Sequence, residues 1–470
     1  MPRQTAFALV NRRKGEKMKK RYEINMTKGP LLPEMLQFVL PLMISSMLQI
    51  AFNAADLIVV GRFGQPLSMA AVGANGAMIN LIISVLMGLA TGGGVLCSRY
   101  YGANQTEKLR RTISTTLIVG VVGGVIIGAL GLALTVPLLR LVGSPDEVLP
   151  LAAVYLRIYF LGLPVMALYN FSAATLRALG NTRQPLLYLT IAGLLNVVMN
   201  LFFVLVVGID VAGVAIATVL SQCVSGYLTL RCLLRTQEMT LRKLEFSGHI
   251  FRKMMKIGIP AGLQGSLFSV SNFIIQASVN SFGAAVIAGN SACVSVEGLL
   301  YCPQDAVMQV ATTAVSQNIG SQNYERSRSV ARWSMALVVV LTGVMSLLAV
   351  IFRREVLGLY TSSEDELQAA YIRMMIVCTA YVLDGTMAAM SGVNRGLGYS
   401  MLSTAVTFAG ACLFRIIWVY TVFANVGTLE SLYISYPISW ALSTAAHIVC
   451  YYIIRKRPFR ATLAAQKAAA

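Results

Sequence analysis

Asp56 lies in a long apolar segment that predicts a helix, and two further polar residues share its face. Gln49, Asn53 and Asp56 are spaced i, i+4 and i+7, so their side chains project from one side of a helix. An ionised carboxylate at mid-membrane costs about 2.5–3.5 kcal/mol, and such residues usually face a protein interior. The favoured interpretation is a functional carboxylate; the alternative is a hydrogen-bonding cluster that ties helices together.

A second polar group is predicted on two helices further along the chain. Asn196 and Asn200 are spaced i, i+4 and point the same way, and Thr218 lies on the next helix. Together with Asp56, they would offer carboxylate, amide and hydroxyl oxygens, which suit a hard cation such as Na⁺. From spacing alone, hydrogen bonds between helices, worth about 0.6 kcal/mol each, explain these residues equally well.

The second half of the chain has its own charges within apolar segments. Glu297 and Asp305 flank a proline, and Asp384 ends the sequence Tyr381-Val-Leu-Asp384. The proline predicts a kink, so Asp305 either caps the restarted helix or joins an acidic cavity. Arg415 is predicted to be the only basic residue deep in a span. We expect it to pair with Asp384 or Glu297, and the sequence leaves that choice open.

The elements that carry these residues are predicted to be membrane-spanning helices. Of the 470 residues, 56% are hydrophobic and 12% are charged, and the mean hydropathy is +0.69. Soluble proteins have about 25% charged residues, and apolar runs of about 20 residues can cross a bilayer. We predict an all-α integral membrane protein with twelve spans, near residues 31–58, 66–97, 112–139, 149–173, 185–207, 211–234, 254–281, 284–316, 330–352, 365–390, 399–424 and 430–454.

The formal net charge of +19 follows the predicted topology. Most of the 38 Lys and Arg residues fall in alternate connections, starting with the N-terminal segment. The opposite connections contain Arg62, Arg140, Arg353 and Arg354. The positive-inside rule therefore places both termini in the cytoplasm. This distribution explains the basic excess by topology and by attraction to anionic lipid headgroups, and it disfavours nucleic-acid binding.

The chain contains an internal repeat. Segments 41–64 and 260–283 have the same length, begin with Pro and end with Phe-Gly, but the first has Asp56 where the second has Ile275. Six predicted spans separate equivalent helices, so the two halves share one orientation and should be related by a pseudo-twofold axis along the membrane normal. We predict a basic N-terminal segment (1–27), an N-terminal lobe (28–234), a cytoplasmic linker (235–253), a C-terminal lobe (254–455) and a cytoplasmic tail (456–470).

Three motifs resemble the multidrug and toxic compound extrusion (MATE) family. The sequence Asp-Leu-Ile-Val-Val-Gly-Arg-Phe-Gly at 56–64, with Ala-Ala-Val-Gly at 70–73, resembles its first-helix signature. The sequence Leu-Arg-Ala-Leu-Gly-Asn-Thr-Arg-Gln-Pro at 176–185 and its echo Asn-Arg-Gly-Leu-Gly at 394–398 resemble a second family motif. The resemblance runs from about residue 28 to about residue 455. It implies two six-helix bundles in a V arrangement and cation-coupled export of drug-like molecules across the bacterial inner (cytoplasmic) membrane.

The resemblance also implies a cation site in the N-terminal lobe. In the family, positions that match Asp56, Asn196, Asn200 and Thr218 form a polar cluster associated with cation binding, which makes a Na⁺ site the favoured interpretation. Some members have Asp where this chain has Asn200. That departure removes one negative charge and leaves the coupling ion open between Na⁺ and H⁺.

The resemblance extends to the C-terminal lobe. Glu297 and Asp384 resemble an acidic pair that some members use for cation coupling, and Asp305 fits the family pattern less well. Further polar residues are expected to line the substrate cavity: Gln49, Asn53, Asp305, Tyr381 and Arg415.

The resulting hypothesis is a secondary active antiporter. A lipophilic cationic drug and an incoming Na⁺ or H⁺ would compete for one buried carboxylate while the bundles alternate their access. We expect no cofactor, membrane lipids as partners and a monomer. The alternative is a flippase for lipid-linked oligosaccharides or lipids, whose cavity would contain several Arg or Lys residues for the pyrophosphate.

Other function classes lack their motifs. Gly-rich stretches at 92–94 and 120–131 lie in apolar segments without a Gly-Lys-Ser/Thr sequence, so they are predicted to pack helices closely. His249 and His447 are far apart, which disfavours a histidine metal site or histidine catalysis. The eight cysteines are scattered without a CxxC motif and are interpreted as small hydrophobic residues. We predict that the chain is not an enzyme.

Overall fold

The structure, a computed structural model, describes residues 23–64, 67–237, 239–241, 244–361 and 363–456. Within these ranges the chain folds into twelve long helices, which confirms the predicted all-α class. They are α1 (Leu31–Phe63), α2 (Ser68–Gly102), α3 (Thr106–Leu141), α4 (Leu149–Ala178), α5 (Arg183–Val207), α6 (Val211–Thr236), α7 (Gly248–Asn280), α8 (Ala284–Gly320), α9 (Tyr324–Ile351), α10 (Glu364–Cys378 continued by Tyr381–Gly396), α11 (Ser400–Val426) and α12 (Leu429–Ile454). Most of the predicted N-terminal segment and C-terminal tail lie outside the described residues.

The helices have the length and polarity of membrane spans. Among the described residues, ten are long and apolar enough to cross a bilayer, and α10 is an eleventh when its two parts count as one span. The two parts of α10 meet at a bend of 43°. The remaining long helix, α7, occupies the position of α1 in the second repeat and carries more polar residues. The chain is therefore a multi-pass membrane protein.

Helix ends follow the repeat. Gly208 ends α5 with φ 74°, and Gly427 ends α11 with φ 70°, at equivalent places in the two halves. Glycine is favoured there because a left-handed residue after the last turn is strained for any side chain with a Cβ atom. α8 continues through Pro303 without interruption, and the kink expected there stays a prediction. Asp305 therefore lies inside a helix, so it is not the cap of a restarted one.

Packing groups the helices into two units whose limits fall inside α1 and α7. The first unit contains the described residues up to Asn25 together with Ile44–Gly262. The second contains Met26–Met43 and the described residues from Leu263 onward. The beginning of α7 packs within the first unit: a Cβ atom on Gly92 would lie 2.4 Å from the Met254 carbonyl oxygen. These limits differ from the predicted lobes, because each of the two helices changes its packing partners partway along.

The beginning of α1 is bound within the second unit by polar contacts. The Met26 amide donates to Gln317 Oε1 at 3.1 Å, and Asn318 Nδ2 donates to the Met26 carbonyl at the same distance. Arg326 forms an ion pair with Glu34, with 3.2 Å between Nη2 and Oε2. These contacts connect residues almost 300 positions apart, so they depend on the fold of the whole chain.

Glycines allow close helix packing in the first unit, as predicted. Gly120, Gly124 and Gly128 follow at intervals of four along α3 and face α4. A Cβ atom at Gly128 would lie 2.7 Å from the Phe160 carbonyl, and one at Gly124 would lie 2.8 Å from Pro164 Cα. Any side chain at these positions would push the helices apart. In a membrane, small residues promote association because they let helix backbones approach closely.

Candidate functional site

The first unit brings four predicted site residues into one hydrogen-bonded chain. Asn200 Nδ2 donates to Asp56 Oδ1 at 2.5 Å and to Asn196 Oδ1 at 3.3 Å. Asn196 Nδ2 donates to Thr218 Oγ1 at 3.4 Å, and Thr218 Oγ1 donates to the Val214 carbonyl at 2.9 Å. Helices α1, α5 and α6 therefore meet at this cluster. Of its four residues, Asn200 is the one that donates a hydrogen bond to Asp56.

Asn200 has an oxygen without a donor. Its side chain is fully buried, and Oδ1 accepts no hydrogen bond from any described residue. An unsatisfied buried polar atom typically costs about 1–3 kcal/mol. Asn200 also lies two residues before a π-helical segment at Phe202–Val207, a departure from regular helix that often marks functional sites. The site thus places an unused oxygen ligand next to a carboxylate.

Tyr155 completes the surroundings of Asp56. Its ring is buried on α4, and its phenol interacts with the Thr218 hydroxyl and with the charge of Asp56. Tyr155 was not among the predicted site residues. No local motif identifies it, because its proximity to Asp56 depends on how α4 packs against α1. Gln49 and Asn53 lie on the same helix as Asp56, and both side chains are exposed.

The second unit contains a buried ion pair that the sequence did not predict. Arg373 Nε donates to Glu297 Oε1 at 2.6 Å, and Nη2 donates to Oε2 at 2.8 Å. Nη1 donates to Asn290 Oδ1 at 2.9 Å, which also accepts from the Tyr433 hydroxyl at 3.1 Å. Arg373 is 4% exposed, so Arg415 is not the only arginine buried within the helices of this unit. The position of Arg373 inside a predicted apolar span was the sequence feature that could have indicated a buried ion pair.

Arg415 makes a different set of contacts from the one predicted. Its Nε donates to Ser439 Oγ at 2.8 Å, and its guanidinium lies over the Tyr436 ring, 4.1 Å from the centroid. It forms no ion pair with any carboxylate of the described residues, and its Nη2 is buried without a hydrogen-bond acceptor among them. Glu297 pairs with Arg373 instead, because Arg373 supplies the bidentate geometry that guanidinium and carboxylate favour.

Asp384 is the second buried carboxylate of this unit. It accepts a hydrogen bond from Gln304 Nε2 at 2.8 Å and interacts with the charge of Arg415 at longer range. Gln304 lies on α8 beside Asp305, whose Oδ2 accepts from Gln309 Nε2 at 2.7 Å. Tyr381 is buried and packs edge-on against Trp440, with 5.4 Å between ring centroids. Asp384 and Glu297 therefore have separate partners.

Comparison with known proteins identifies the repeat and the fold. A family model described as MatE matches residues 41–202 and again 260–421, so both matches begin at the first proline of the repeat. The "Probable multidrug resistance protein YoeA" of Bacillus subtilis (strain 168) is 27% identical over 440 residues, which cover 89% of this chain and 93% of that protein. An "FAD transporter" of Shewanella oneidensis is 22% identical over 453 residues, which cover 93% of this chain and 98% of that protein.

A solved structure shows the same fold. The "Crystal structure of MATE in the bent conformation" aligns with a TM-score of 0.86 at 21% identity and covers 94% of this chain and 99% of that chain. The agreement over nearly the full length confirms the predicted arrangement of twelve helices in two six-helix halves.

Proposed function

The chain belongs to the MatE family of membrane transporters, and we propose that it exports lipophilic cationic drugs in exchange for Na⁺ or H⁺. Family membership makes it a transporter and not an enzyme. A relative named for multidrug resistance supports a drug as substrate. We also propose that the protein lies in the bacterial cytoplasmic membrane with both termini in the cytoplasm. This orientation follows from the distribution of Lys and Arg.

The observation that carries the proposal is the contact between Asp56 and Asn200. Rotation of the Asn200 side-chain amide by half a revolution exchanges the positions of Nδ2 and Oδ1. The unsatisfied oxygen would then face the Asp56 carboxylate. A Na⁺ ion could then bridge two oxygens, and a protonated Asp56 could instead donate a hydrogen bond to Oδ1. In this structure the amide donates to the carboxylate through Nδ2. The same two residues can thus present either a hydrogen-bond donor or an oxygen to Asp56.

Coupling follows from competition for this carboxylate. Asp56 is partly exposed, so its charge is accessible from one side of α1, the side on which Gln49 and Asn53 also lie. A cationic drug near this face would be stabilised while Asp56 is ionised and released when Na⁺ or H⁺ neutralises it. Because the two ligands share one charge, their exchange is an antiport.

In this proposal the carboxylates of the second unit do not bind the coupling ion. Glu297 is neutralised by Arg373, so on its own it offers little free charge to an incoming Na⁺ or H⁺. Asp384 has a donor in Gln304 and the positive charge of Arg415 in its surroundings, which disfavours a bound cation there. Among the carboxylates predicted for coupling, Asp56 is therefore the one that we assign to the ion.

Drug efflux from reconstituted vesicles tests this proposal. The purified protein would be placed in liposomes loaded with ethidium, and efflux would be followed under an imposed Na⁺ or H⁺ gradient. We expect Asp56→Asn to lose gradient-driven efflux and the matched variant Asp384→Asn to retain most of it. Retained efflux in Asp56→Asn would refute the assignment, and loss in Asp384→Asn alone would move coupling to the second unit.

A second candidate, the flippase, is favoured by the unsatisfied Nη2 of Arg415. Arg373, Arg395 and Arg415 are all buried, so the described part of the second unit has three buried arginines. A phosphate or pyrophosphate group would satisfy Nη2. Movement of a fluorescent anionic lipid between leaflets, lost in Arg415→Gln and unaffected in Asp56→Asn, would favour this candidate over drug export.

A further inference from the structure

Two thiols and a carboxylate meet inside the second unit. Cys293 and Glu297 lie one turn apart on α8, and Cys378 lies at the end of the first part of α10. The two sulfur atoms are 3.9 Å apart, and Cys293 Sγ is 3.7 Å from Glu297 Oε1. All three ligand atoms lie within 4.8 Å of one another, and all three side chains are buried. These cysteines therefore differ from the small hydrophobic residues that the sequence indicated.

The distances match those around a tetrahedral metal ion. Two thiolates at about 2.3 Å from Zn²⁺ lie roughly 3.8 Å apart, and a thiolate and a carboxylate oxygen lie roughly 3.6 Å apart. The observed separations of 3.9 Å and 3.7 Å are close to these values. The third separation, between Cys378 Sγ and a Glu297 oxygen, is within 4.8 Å. A side-chain adjustment that shortens it would place one ion at bonding distance from all three atoms.

Arg373 makes the charge balance favourable. Its guanidinium binds both oxygens of Glu297, so the pair is neutral while both thiols are protonated. When a divalent cation displaces the two thiol protons to solvent, two thiolates, one carboxylate, one guanidinium and one M²⁺ again sum to zero. The exchange adds no net charge to an apolar interior, where an uncompensated charge would be costly. Arg373 also orients the carboxylate, as residues behind a metal ligand commonly do.

We propose that Cys293, Cys378 and Glu297 form a binding site for a thiophilic divalent cation of the Zn²⁺ and Cd²⁺ class. The fourth ligand would be water or a neighbouring polar group. Cys378 is the last residue before the bend in α10, so the ion would join α8 to α10 at that bend. It would stabilise the bent form of α10, because a ligand that binds one conformation favours it.

Cadmium binding to the reduced, full-length protein tests this site. Purified protein in detergent would be titrated with Cd²⁺ under nitrogen, with the ultraviolet thiolate-to-metal absorption and the unfolding temperature as readouts. We expect Cys293→Ser and Cys378→Ser each to lose one bound ion and the associated rise in unfolding temperature. Cys302→Ser, on the same helix, and Cys412→Ser are matched controls that should keep both. Equal binding in all four variants would overturn the proposal.

A second measurement needs no variant. In the parent protein, bound Cd²⁺ should protect Cys293 and Cys378 from alkylation by N-ethylmaleimide during partial unfolding, as mapped by mass spectrometry. Protection of other cysteines with none at these two would overturn the proposal even if a serine variant failed to fold. Both readouts are independent of drug transport.

Discussion

Arg373 and Glu297 form a bidentate ion pair between α10 and α8, with nitrogen–oxygen distances of 2.6 and 2.8 Å. In the first half, Arg157 follows Tyr155 at the spacing at which Arg373 follows Tyr371, and it is exposed on α4. Asp56 in the first unit is bound by a neutral amide instead of a guanidinium. The two halves thus differ: the second contains a carboxylate compensated by an arginine, whereas Asp56 in the first is held by an amide.

The ion pair predicts a strong asymmetry between single and double variants. Glu297→Gln leaves a buried, unpaired guanidinium, so we expect it to lower the free energy of unfolding by about 3–5 kcal/mol. The double variant Glu297→Leu with Arg373→Met removes both charges and should recover much of this loss. Denaturant unfolding of the purified proteins measures both values. A single variant as stable as the parent would contradict the buried pair.

The contact between Asn200 and Asp56 predicts that substitutions of Asn200 change the affinity for Na⁺. Asn200→Asp places a second negative charge beside Asp56, and we expect Na⁺ to bind on the order of tenfold more tightly. Asn200→Leu removes the unsatisfied oxygen and should abolish the effect of Na⁺. The Na⁺ dependence of the unfolding temperature measures both. Asn425→Asp, at the exposed end of α11, is the matched control and should leave the Na⁺ response unchanged. If Asn425→Asp changed the Na⁺ response as much as Asn200→Asp, the added charge alone would explain the result and the proposed site would be contradicted.

The glycine contacts predict position-specific effects in α3. Gly128→Ala forces a Cβ atom against the Phe160 carbonyl, and we expect a loss of about 1–3 kcal/mol in stability. At Gly123 no atom lies within 4 Å of an added Cβ, so Gly123→Ala should be neutral or slightly stabilising. Thermal unfolding compares the two variants. Equal destabilisation would mean that loss of helix flexibility, and not packing, is responsible.

The charge distribution predicts the topology. A green fluorescent protein fused to the C-terminus should fluoresce, because it folds in the cytoplasm. Alkaline phosphatase fused after Gly143, in the connection between α3 and α4, should be active, because it reaches the opposite side. The reciprocal fusions are the controls. Fluorescence at Gly143 together with an inactive enzyme there would reverse the proposed orientation.

Sequence reasoning found what depends on local pattern or on the repeat. Apolar runs predicted the helices, and i, i+4 spacing placed Asn196 and Asn200 on one face. The contact of Asn200 with Asp56 came from the resemblance, because spacing alone equally allowed ordinary helix contacts. The pairs Arg373–Glu297 and Cys293–Cys378 were missed, because they join helices whose rotation and register no local motif encodes. At Pro303 α8 remains one helix, so of the two alternatives for Asp305 the cap of a restarted helix was wrong.

The placement of the unit limits inside α1 and α7 has a consequence for biosynthesis. Residues 248–262 belong to the first unit, so that unit cannot finish folding until the ribosome has passed the middle of the chain. Met26–Met43 emerges first but must wait for partners such as Asn318 that are made much later. We expect that halves separated in the 235–253 segment and produced apart would each lack part of their own interior. We therefore expect the two copies of the repeat, which remain recognisable in sequence, to depend on each other during assembly.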